Sequence, residues 1–244
     1  MVWRIGVDSG GTFTDVCLFN NETGQLDIWK VPSTPDDPSR GISAGVSEGL
    51  STVKATPDAV TFLGHGTTVA TNALIELRGV KTGLIVTDGF RDLLEIGRQK
   101  RPSLYDMNAD KPQTLVSRDM RFEVAERVRS DGSVETALDV EAVRDAVRKM
   151  AEADVKAIAV CCLYGFLTPE HEQQILDIIA EEHPGAFRSA SHAVAPEFRE
   201  YERMSTTAAN AYTQPLVDRY LSNLSNGLVE KGYERGMYVM MSTG

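Results

Sequence analysis

The fold is decided by one stretch near the start of the chain, Ile5-Gly6-Val7-Asp8-Ser9-Gly10-Gly11-Thr12-Phe13-Thr14-Asp15-Val16. An apolar segment from Trp3 to Val7 runs into an acid, a small residue and two glycines, and a second apolar segment follows from Val16 to Phe19. This arrangement predicts a β-hairpin whose turn carries few side chains. The chain should therefore open with a pair of antiparallel strands.

The turn of this hairpin has the composition of a phosphate-binding loop. Gly10 and Gly11 would let backbone N–H groups approach an anion closely, and the hydroxyls of Thr12 and Thr14 would add donors. Asp8 suits a phosphate that carries Mg²⁺, because Mg²⁺ binds carboxylates together with phosphate oxygens. The alternative is a tight hairpin with glycines at positive φ and a solvated acid. The acid at the end of a buried strand and the two hydroxyls favour the phosphate site.

Composition excludes several classes of function. The chain has 244 residues and a net charge of −10, which argues against a surface that binds nucleic acid or an anionic membrane. No apolar run approaches the ~20 residues of a membrane span, and the amino terminus does not resemble a signal peptide. Cys17, Cys161 and Cys162 lie in apolar runs, which predicts reduced core thiols in a cytoplasmic protein.

A second motif follows at residues 60–76. A short apolar strand is expected to end at the turn Gly64-His65-Gly66, after which Thr67 or Thr68 would cap a helix that runs to about Leu77. A strand, a glycine turn and a helix N-terminus together form an anion-binding geometry. Gly66, Thr67 and Thr68 are therefore expected to face a ligand. His65 either faces the ligand or is hydrogen-bonded within the turn.

The rest of the chain alternates between strands and helices. An almost wholly apolar run, Val155–Leu163, predicts a central parallel strand that is buried on both faces. A long helical region from Glu197 towards Gly232 should be broken or kinked at Pro215. The βαβα order predicts a parallel or mixed α/β sheet with flanking helices. Further strands are expected at about 25–31, 81–87, 122–129 and 237–241, and further helices at about 39–53, 90–96, 138–150 and 169–182.

Several charged residues and histidines are expected either at a binding site or at the solvent-exposed surface. Arg98 lies in a basic cluster, Gly97–Pro102, that is either a solvated loop or a site where Arg98 binds a carboxylate or phosphate bidentately. His171 and His183 are expected at the surface. Charge pairs along one helix are expected for Glu197, Arg199, Glu200, Glu202 and Arg203. The final Ser242-Thr243-Gly244 follows a fresh strand and suggests a fragment of a longer protein.

Four motifs in order resemble the hydantoinase A/5-oxoprolinase family, within the actin/hexokinase/Hsp70 ATPase superfamily. The first is the opening loop, and the second is the stretch from His65 to Ala73. The third comprises Thr87–Asp92 with Glu95–Gln99, and the fourth is Pro196–Arg203. The resemblance covers essentially the whole chain. It implies an α/β, ribonuclease H-like (actin-like) ATPase fold, in which a mixed sheet opens with antiparallel strands and carries flanking helices.

The resemblance also implies an activity. Members of the family use ATP to hydrolyse cyclic amides such as hydantoins or 5-oxoproline, and relatives carboxylate ketones. On the matched positions, Asp8 would organise Mg²⁺ and water. Phosphates would be held by Gly10, Gly11, Thr12 and Thr14. The substrate side would be formed by His65, Gly66, Thr67, Thr68 and Arg98.

The resemblance further predicts how the chain is divided and what it lacks. Residues 1–190 would form the actin-like half-domain, and residues 191–244 would be linker helices and the truncated start of the next domain. The second phosphate loop and the adenosine site would belong to a missing C-terminal half. Partners would be that half, a hydantoinase B-like subunit and a cyclic amide or ketone substrate. The alternatives are a sugar or acyl kinase of the same superfamily, against which the second motif speaks, and a non-catalytic scaffold half-domain.

Overall fold

A computed structural model of the protein describes residues 2–10, 12–34, 36–100, 102–106 and 108–240. Its strands are β1 (Trp3–Ser9), β2 (Phe13–Asn20), β3 (Leu26–Pro32), β4 (Val60–Thr67), β5 (Thr82–Thr87), β6 (Arg121–Val124), β7 (Arg127–Val128), β8 (Val134–Thr136), β9 (Ala157–Cys161), β10 (Phe187–Ala190) and β11 (Tyr238–Val239). Its α-helices are α1 (Pro38–Thr52), α2 (Val69–Ile75), α3 (Leu93–Ile96), α4 (Val140–Glu152), α5 (Glu170–Glu182), α6 (Ser191–Val194) and α7 (Glu200–Glu230).

The chain divides into two compact units. The first unit comprises Met1–Asn72 and Leu216–Gly244, and the second comprises Ala73–Pro215. The second unit is thus inserted between two parts of the first. The expected division of a longer protein at residue 190 stays a prediction.

The first unit is built on a five-stranded mixed sheet in the order β11-β4-β1-β2-β3. Strands β1, β2 and β3 are antiparallel neighbours, as the opening sequence predicts. Strand β4 is parallel to both β1 and β11. An α/β fold with a mixed sheet that opens with antiparallel strands is therefore confirmed, consistent with an actin-like ATPase fold.

One face of this sheet carries the core of the first unit. Alternate residues of β1 are buried, as expected for a strand with one face on a core. Helix α1 packs against this face very closely. A Cβ atom on Gly45 would lie 2.9 Å from Val31 Cγ2, and one on Gly49 would lie 3.0 Å from Leu18 Cδ1. Glycine lowers the intrinsic stability of a helix, but here it lets α1 contact the sheet directly. The start of α1 is capped by Asp37, whose side chain accepts a hydrogen bond from the N–H of Ser39.

The second unit contains a parallel four-stranded sheet in the order β10-β9-β5-β6. Every residue of β5 and β9 is buried, as predicted for central parallel strands. Helices α4 and α5 pack on one face of this sheet, and residues of α7 such as Met204 and Ala208 pack on the other. Since ligands of α/β sheets commonly bind beyond the carboxyl ends of the strands, this edge of the second sheet is a second candidate position for a ligand site.

Two local predictions are wrong. Gly64-His65-Gly66 is not a turn, because β4 continues through it to Thr67 and pairs with β1 along its length. The predicted break at Pro215 is also absent, since α7 is helical on both sides of it, while the alternative of a kink there stays a prediction. Proline removes one backbone donor, and Ala211, Tyr212 and Tyr220 before and after it are buried. Among the described residues, no helix is long and apolar enough to cross a membrane.

Candidate functional site

Two carboxylates lie side by side on the face of the first sheet opposite its core. Asp8 of β1 is directly opposite Asp15 of β2 in the antiparallel pair, and directly opposite Gly66 of β4 in the parallel pair. The next row along the sheet contains Gly6, which is paired with Cys17 and with Gly64. Directly paired residues point to the same side of a sheet, so these rows form one surface.

Glycine keeps this surface open. Gly6, Gly64 and Gly66 carry no side chains, and a cavity of about 450 Å³ covers the surface that these residues share with Asp8 and Asp15. At Gly64 the Phe62 ring takes up the free space, since a Cβ atom there would lie 2.8 Å from Phe62 Cε1. A Cβ atom on Gly66 would lie 3.6 Å from Asp8 Oδ1, which is an ordinary van der Waals contact, so a side chain there would fit but would occupy the space beside the carboxylate. Glycine inside a strand often marks such a close approach of a ligand.

The two carboxylates differ in their surroundings. Asp15 forms an ion pair with Lys30, with 2.9 Å between Oδ1 and Nζ, whereas Asp8 is exposed. Like charges directly opposite each other destabilise an antiparallel pair, and the lysine offsets one of them. The donor set suits Mg²⁺, which binds one or two carboxylates and completes its shell with water and phosphate. Within the described ranges, no group of three or more acidic, histidine or cysteine side chains could hold a metal ion alone.

Some of the hydrogen-bonding groups expected to bind phosphate are already bonded within the chain around the hairpin turn. The Gly10 N–H donates to the carbonyl of Phe13 at 3.1 Å, so it is not a free donor in this conformation. Thr14 is fully buried and its hydroxyl bonds to that of Ser33, which leaves it to support the turn. Thr12 is exposed next to the turn. Gly11, the other expected phosphate-binding glycine, lies outside the described residues.

His65 lies on the core face of the sheet and is fully buried. Its Nε2 is hydrogen-bonded to the Tyr220 hydroxyl, and no partner of its Nδ1 is found in the described part of the chain. Burial lowers the pKa of His65, although the Val7 carbonyl and the Asp8 carboxylate act in the opposite direction. Burial raises the pKa of Tyr220 to about 12. The pair is therefore neutral at pH 7 and lies behind the carboxylates rather than beside a ligand.

The loop after β4 lies at the same edge as the hairpin turn, because β1 and β4 are parallel and Ser9 is paired with Thr67. The hydroxyl of Thr67 accepts the N–H of Val69 at 3.3 Å, so it caps the start of α2. Thr68 is exposed, and the amide of Asn72 reaches its hydroxyl at 3.4 Å. Thr68 is thus the more accessible of the two predicted threonines.

Arg98 belongs to the second unit and has a partner there. Its guanidinium pairs with Glu202, and this hydrogen bond holds the pKa of the Glu202 carboxyl below its usual range. Both residues remain partly exposed. Arg98 also lines a cavity of about 890 Å³ with Lys100, Lys111 and Tyr201. The structure therefore places Arg98 at a polar cavity of its own unit.

The sequence did not predict a buried polar cluster at the carboxyl edge of the parallel sheet. The predictions of surface exposure for His171 and of ordinary helix charge pairing for Arg203 are wrong. His171 is buried, and its Nδ1 bonds to Glu126 at 2.8 Å. Arg203 is 1 % exposed and donates to the Ser191 hydroxyl and to two carbonyl oxygens. His183 is half-buried, with Nε2 bonded to the Val155 carbonyl.

Cys161 ends β9 and Cys162 follows it beside this cluster, and burial makes both poor nucleophiles. Burial raises the pKa of Cys161 to about 11 and raises that of Cys162 well above its ordinary value. A thiol attacks as its thiolate, which these groups do not form near pH 7. The described cysteines are free thiols. Cys161 and Cys162 are buried as predicted, whereas Cys17 is only half-buried and lines the open face of the first sheet, so its prediction as a core thiol is wrong.

Comparison with known proteins places these features in a family. Residues 4–183 match the family model described as the hydantoinase/oxoprolinase N-terminal region. Caprolactamase subunit alpha of Pseudomonas jessenii is 36% identical over 248 residues, which cover 99% of this chain and 36% of that protein. 5-Oxoprolinase 1 of Arabidopsis thaliana is 32% identical over 250 residues, which cover 90% of this chain and 19% of that protein.

Two solved structures share the fold. The crystal structure of the ATP-dependent caprolactamase from Pseudomonas jessenii superimposes with a TM-score of 0.88 at 35% identity, covering 97% of this chain and 35% of that one. A nucleotide-free structure of acetone carboxylase gives a TM-score of 0.87 at 27% identity, covering 98% of this chain and 36% of that one. The chain spans about a third of the length of these structures. It belongs to the hydantoinase/oxoprolinase family and carries the N-terminal region of that family.

Proposed function

We propose that the chain is the phosphate-binding half of an ATP-dependent enzyme that activates the carbonyl of a cyclic amide and opens the ring. The observation that carries the proposal is the pairing of Asp8 with Asp15 and Gly66 on an open face of the first sheet. Relatives in the family are named as an ATP-dependent caprolactamase and as 5-oxoprolinases, which supports ATP and a lactam substrate.

The residues of the chain divide the work in this proposal. Asp8 and Asp15 would hold Mg²⁺, which neutralises phosphate charge when it is bound. Thr12 and Thr68 are exposed and would donate to phosphate oxygens. Gly66 leaves room for the phosphates, and the buried His65–Tyr220 pair keeps β4 in place beneath them. Phosphoryl transfer needs mainly positioning and charge stabilisation from a protein, and these residues supply both.

Arg98 would act on the substrate side. The cavity of its unit is wide enough for a small cyclic molecule and contains several positive side chains. A guanidinium can bind a carboxylate through two parallel hydrogen bonds. We therefore assign to Arg98 the recognition of a substrate carboxylate, in exchange for its ion pair with Glu202.

The second candidate function is the ATP-dependent carboxylation of a ketone, which the likeness to acetone carboxylase favours. The two reactions need different co-substrates. Opening a lactam consumes water, whereas carboxylation must consume bicarbonate or CO₂. The full-length protein with its partner subunits is to be assayed for ATP hydrolysis with caprolactam, 5-oxoproline and acetone, each with and without bicarbonate. The carboxylase is identified if ATP hydrolysis requires bicarbonate and occurs with acetone but not with either lactam.

The test of the site itself is isothermal titration with MgATP. This chain contains one side of the proposed nucleotide site, so we expect a dissociation constant near or above a millimolar, about −4 kcal/mol. The full-length protein should bind at least ten times more tightly, and Asp8→Ala should abolish the heat in both. Asp218→Asn, which changes an exposed acid on α7, is the control. Equal binding by wild type and Asp8→Ala would refute the proposed site.

A further inference from the structure

We propose that His192 is a proton-accepting catalytic residue, held in place by the buried carboxylate of Glu172. The site lies at the carboxyl edge of the parallel sheet in the second unit. Ser191 and His192 directly follow β10, and Cys162 directly follows β9. This edge is where α/β sheets bind their ligands. The proposal rests on the proposed function for its substrate, and one of its tests needs no substrate.

The carboxylate of Glu172 is fully buried and has a complete set of donors. Oε1 accepts from the Cys162 N–H at 2.8 Å and from the Ser191 hydroxyl at 2.6 Å. Oε2 accepts from the His192 N–H at 2.8 Å and bonds to its Nδ1 at 2.7 Å. Four partners on one carboxylate fix its position, because each oxygen is held from two directions.

The surrounding backbone is shaped to admit this carboxylate. A Cβ atom on Gly165 would lie 2.6 Å from Glu172 Oε1, so only glycine lets the loop after β9 pass so close. Arg203 binds the same loop and the same hydroxyl. Its Nη2 donates to the Cys162 carbonyl at 2.9 Å, and its Nε donates to Ser191 Oγ at 3.1 Å. Gly165 thus makes room for the Glu172 carboxylate, and Arg203 fixes the loop and the Ser191 hydroxyl that surround it.

The imidazole is left with one free end. A carboxylate that already has three other donors accepts a proton rather than donating one, so His192 Nδ1 carries its proton towards Glu172. Nε2 then holds a lone pair, and it has no hydrogen-bond partner in the described ranges. The side chain of His192 is 21% exposed, whereas that of the carboxylate is fully buried. An imidazole bound at Nδ1 by a carboxylate and open at Nε2 is the arrangement of a general base.

The cluster contains a second pair that serves as a comparison. His171 precedes Glu172 in the chain, and its Nδ1 bonds to Glu126, whose other oxygen accepts from the Thr87 hydroxyl. The His171 side chain is only 10% exposed, so a substrate would reach it less readily than His192. We therefore assign the proton transfer to His192 and a supporting role to His171.

The proposed step balances without a further reagent. His192 Nε2 takes a proton from water while the water oxygen bonds to the carbonyl carbon that ATP has activated. The carbon–nitrogen bond of the ring then breaks, its electron pair goes to the nitrogen, and that nitrogen takes the proton from His192. The same base would take a proton from the carbon beside a ketone carbonyl in the carboxylase alternative. Glu172 stabilises the imidazolium through Nδ1, and the proton leaves with the nitrogen or oxygen of the product.

The first test needs neither ATP nor substrate. The full-length protein is labelled with ¹⁵N-histidine, and the His192 signals are identified by their loss in His192→Gln. We expect neutral His192 to carry its proton on Nδ1 in the wild type, and Glu172→Gln to shift that proton towards Nε2. A wild-type His192 that is protonated on Nε2 when neutral would overturn the proposal, whatever the protein does with ATP.

The second test measures turnover by the full-length protein with its partner subunits, on the lactam or ketone that it uses. General bases contribute about 10²–10⁴-fold, so His192→Gln should lower kcat at least 100-fold and leave the KM for ATP within about threefold. Imidazole added to the solution should increase the kcat of His192→Ala at least tenfold. His183→Gln, at another partly buried histidine of the same unit, should retain normal kcat.

The two proposals fail in different ways. Loss of MgATP binding would overturn the proposed function, and the histidine labelling would still support or overturn the His192 assignment. If His192→Gln retains a third or more of the wild-type kcat, the catalytic assignment is wrong even when MgATP binds. If kcat falls only in proportion to the unfolded fraction, measured by circular dichroism, the cluster is structural and the assignment is also wrong.

Discussion

Asp8 and Asp15 are direct partners across the first hairpin, and both point away from the core of their unit. Two carboxylates in this position repel each other, because opposed side chains of an antiparallel pair lie about 5 Å apart at Cβ. Among the described residues, an ion pair is found for Asp15, with Lys30 at 2.9 Å, and none is found for Asp8. The pair is therefore a local cost to folding that a bound cation would remove.

This repulsion gives the first prediction. Asp8→Asn should raise the free energy of unfolding in the absence of magnesium by a few tenths of a kcal/mol, and by at most about 1. The same change should remove the stabilisation that added magnesium gives the wild type. Urea unfolding with and without MgCl₂ measures both effects. Asp218→Asn should behave like the wild type, and a loss of stability in Asp8→Asn would contradict the expected repulsion.

The second prediction concerns the space beside Asp8. A methyl group at position 66 would make ordinary contacts of 3.6 Å with Asp8 Oδ1 and 3.9 Å with the Val7 carbonyl. Gly66→Ala should therefore fold with a stability within about 1 kcal/mol of the wild type. It should weaken MgATP binding to the full-length protein at least tenfold, since the methyl group occupies the ligand side. Calorimetric titration and urea unfolding separate the two effects, and unchanged affinity would count against this face as the nucleotide site.

His65 makes stability depend on pH. Its pKa is lowered in the folded state, mainly by burial, while the unfolded chain takes up the proton near pH 6.5. The unfolded state thus binds more protons below about pH 6.5, and stability falls as the pH falls through that value, by at most about 1.4 kcal/mol per pH unit. Urea unfolding between pH 7.5 and 5.5 should show this slope in the wild type and in Tyr220→Phe. His65→Gln should lose it, and an unchanged slope there would assign the effect to another group.

Arg203 should not tolerate its usual conservative replacement. Its planar guanidinium donates to Ser191 Oγ, to the Glu197 carbonyl and to the Cys162 carbonyl from different nitrogens. A lysine ammonium cannot span the same three acceptors, so Arg203→Lys leaves buried acceptors unpaired and should cost about 1–3 kcal/mol. Arg219→Lys, at an exposed position of α7, should change stability by less than about 0.5 kcal/mol. Equal stability of the two variants in urea would refute the structural role.

The role proposed for Arg98 can be tested with two substrates, one with a carboxylate and one without. 5-Oxoproline carries a carboxylate and caprolactam does not. Arg98→Gln should raise the KM for 5-oxoproline at least tenfold if that compound is turned over, and should leave the KM for caprolactam within about threefold. Lys100→Gln, in the same cavity, is the matched control. Equal effects on both substrates would rule out carboxylate recognition by Arg98.

The sequence predicted the first half of the fold well because its signals are local. The two consecutive glycines in the sequence and the apolar segments on both sides predict the hairpin, whose strands are β1 and β2. The apolar run that became β9 specified a buried parallel strand from composition alone. Asp15 could also have been found, since a tight turn between Ser9 and Thr14 requires Asp15 to face Asp8.

No local pattern in the sequence indicates the buried cluster. Glu172 contacts residues 10 and 20 positions away, and Arg203 reaches back 41 positions to Cys162. On a helical pattern these residues look like ordinary surface charges, because burial of a charge depends on distant partners. His65 was ambiguous for the related reason that Gly64 and Gly66 suggest a turn. In the structure Gly64 and Gly66 are part of β4 and lie on the face opposite the core. His65, between them, therefore lies on the core face.

The position of β11 has a consequence for how the chain folds. Tyr238 pairs with Gly64, so the last described strand joins the first sheet across more than 170 residues of intervening chain. The hairpin formed by β1, β2 and β3 needs only local contacts, whereas the β4–β11 contact must close a loop that contains the whole second unit. Contacts of such long range form slowly. During synthesis the inserted unit would therefore gain its structure first, and the sheet that holds the carboxylates would be completed last.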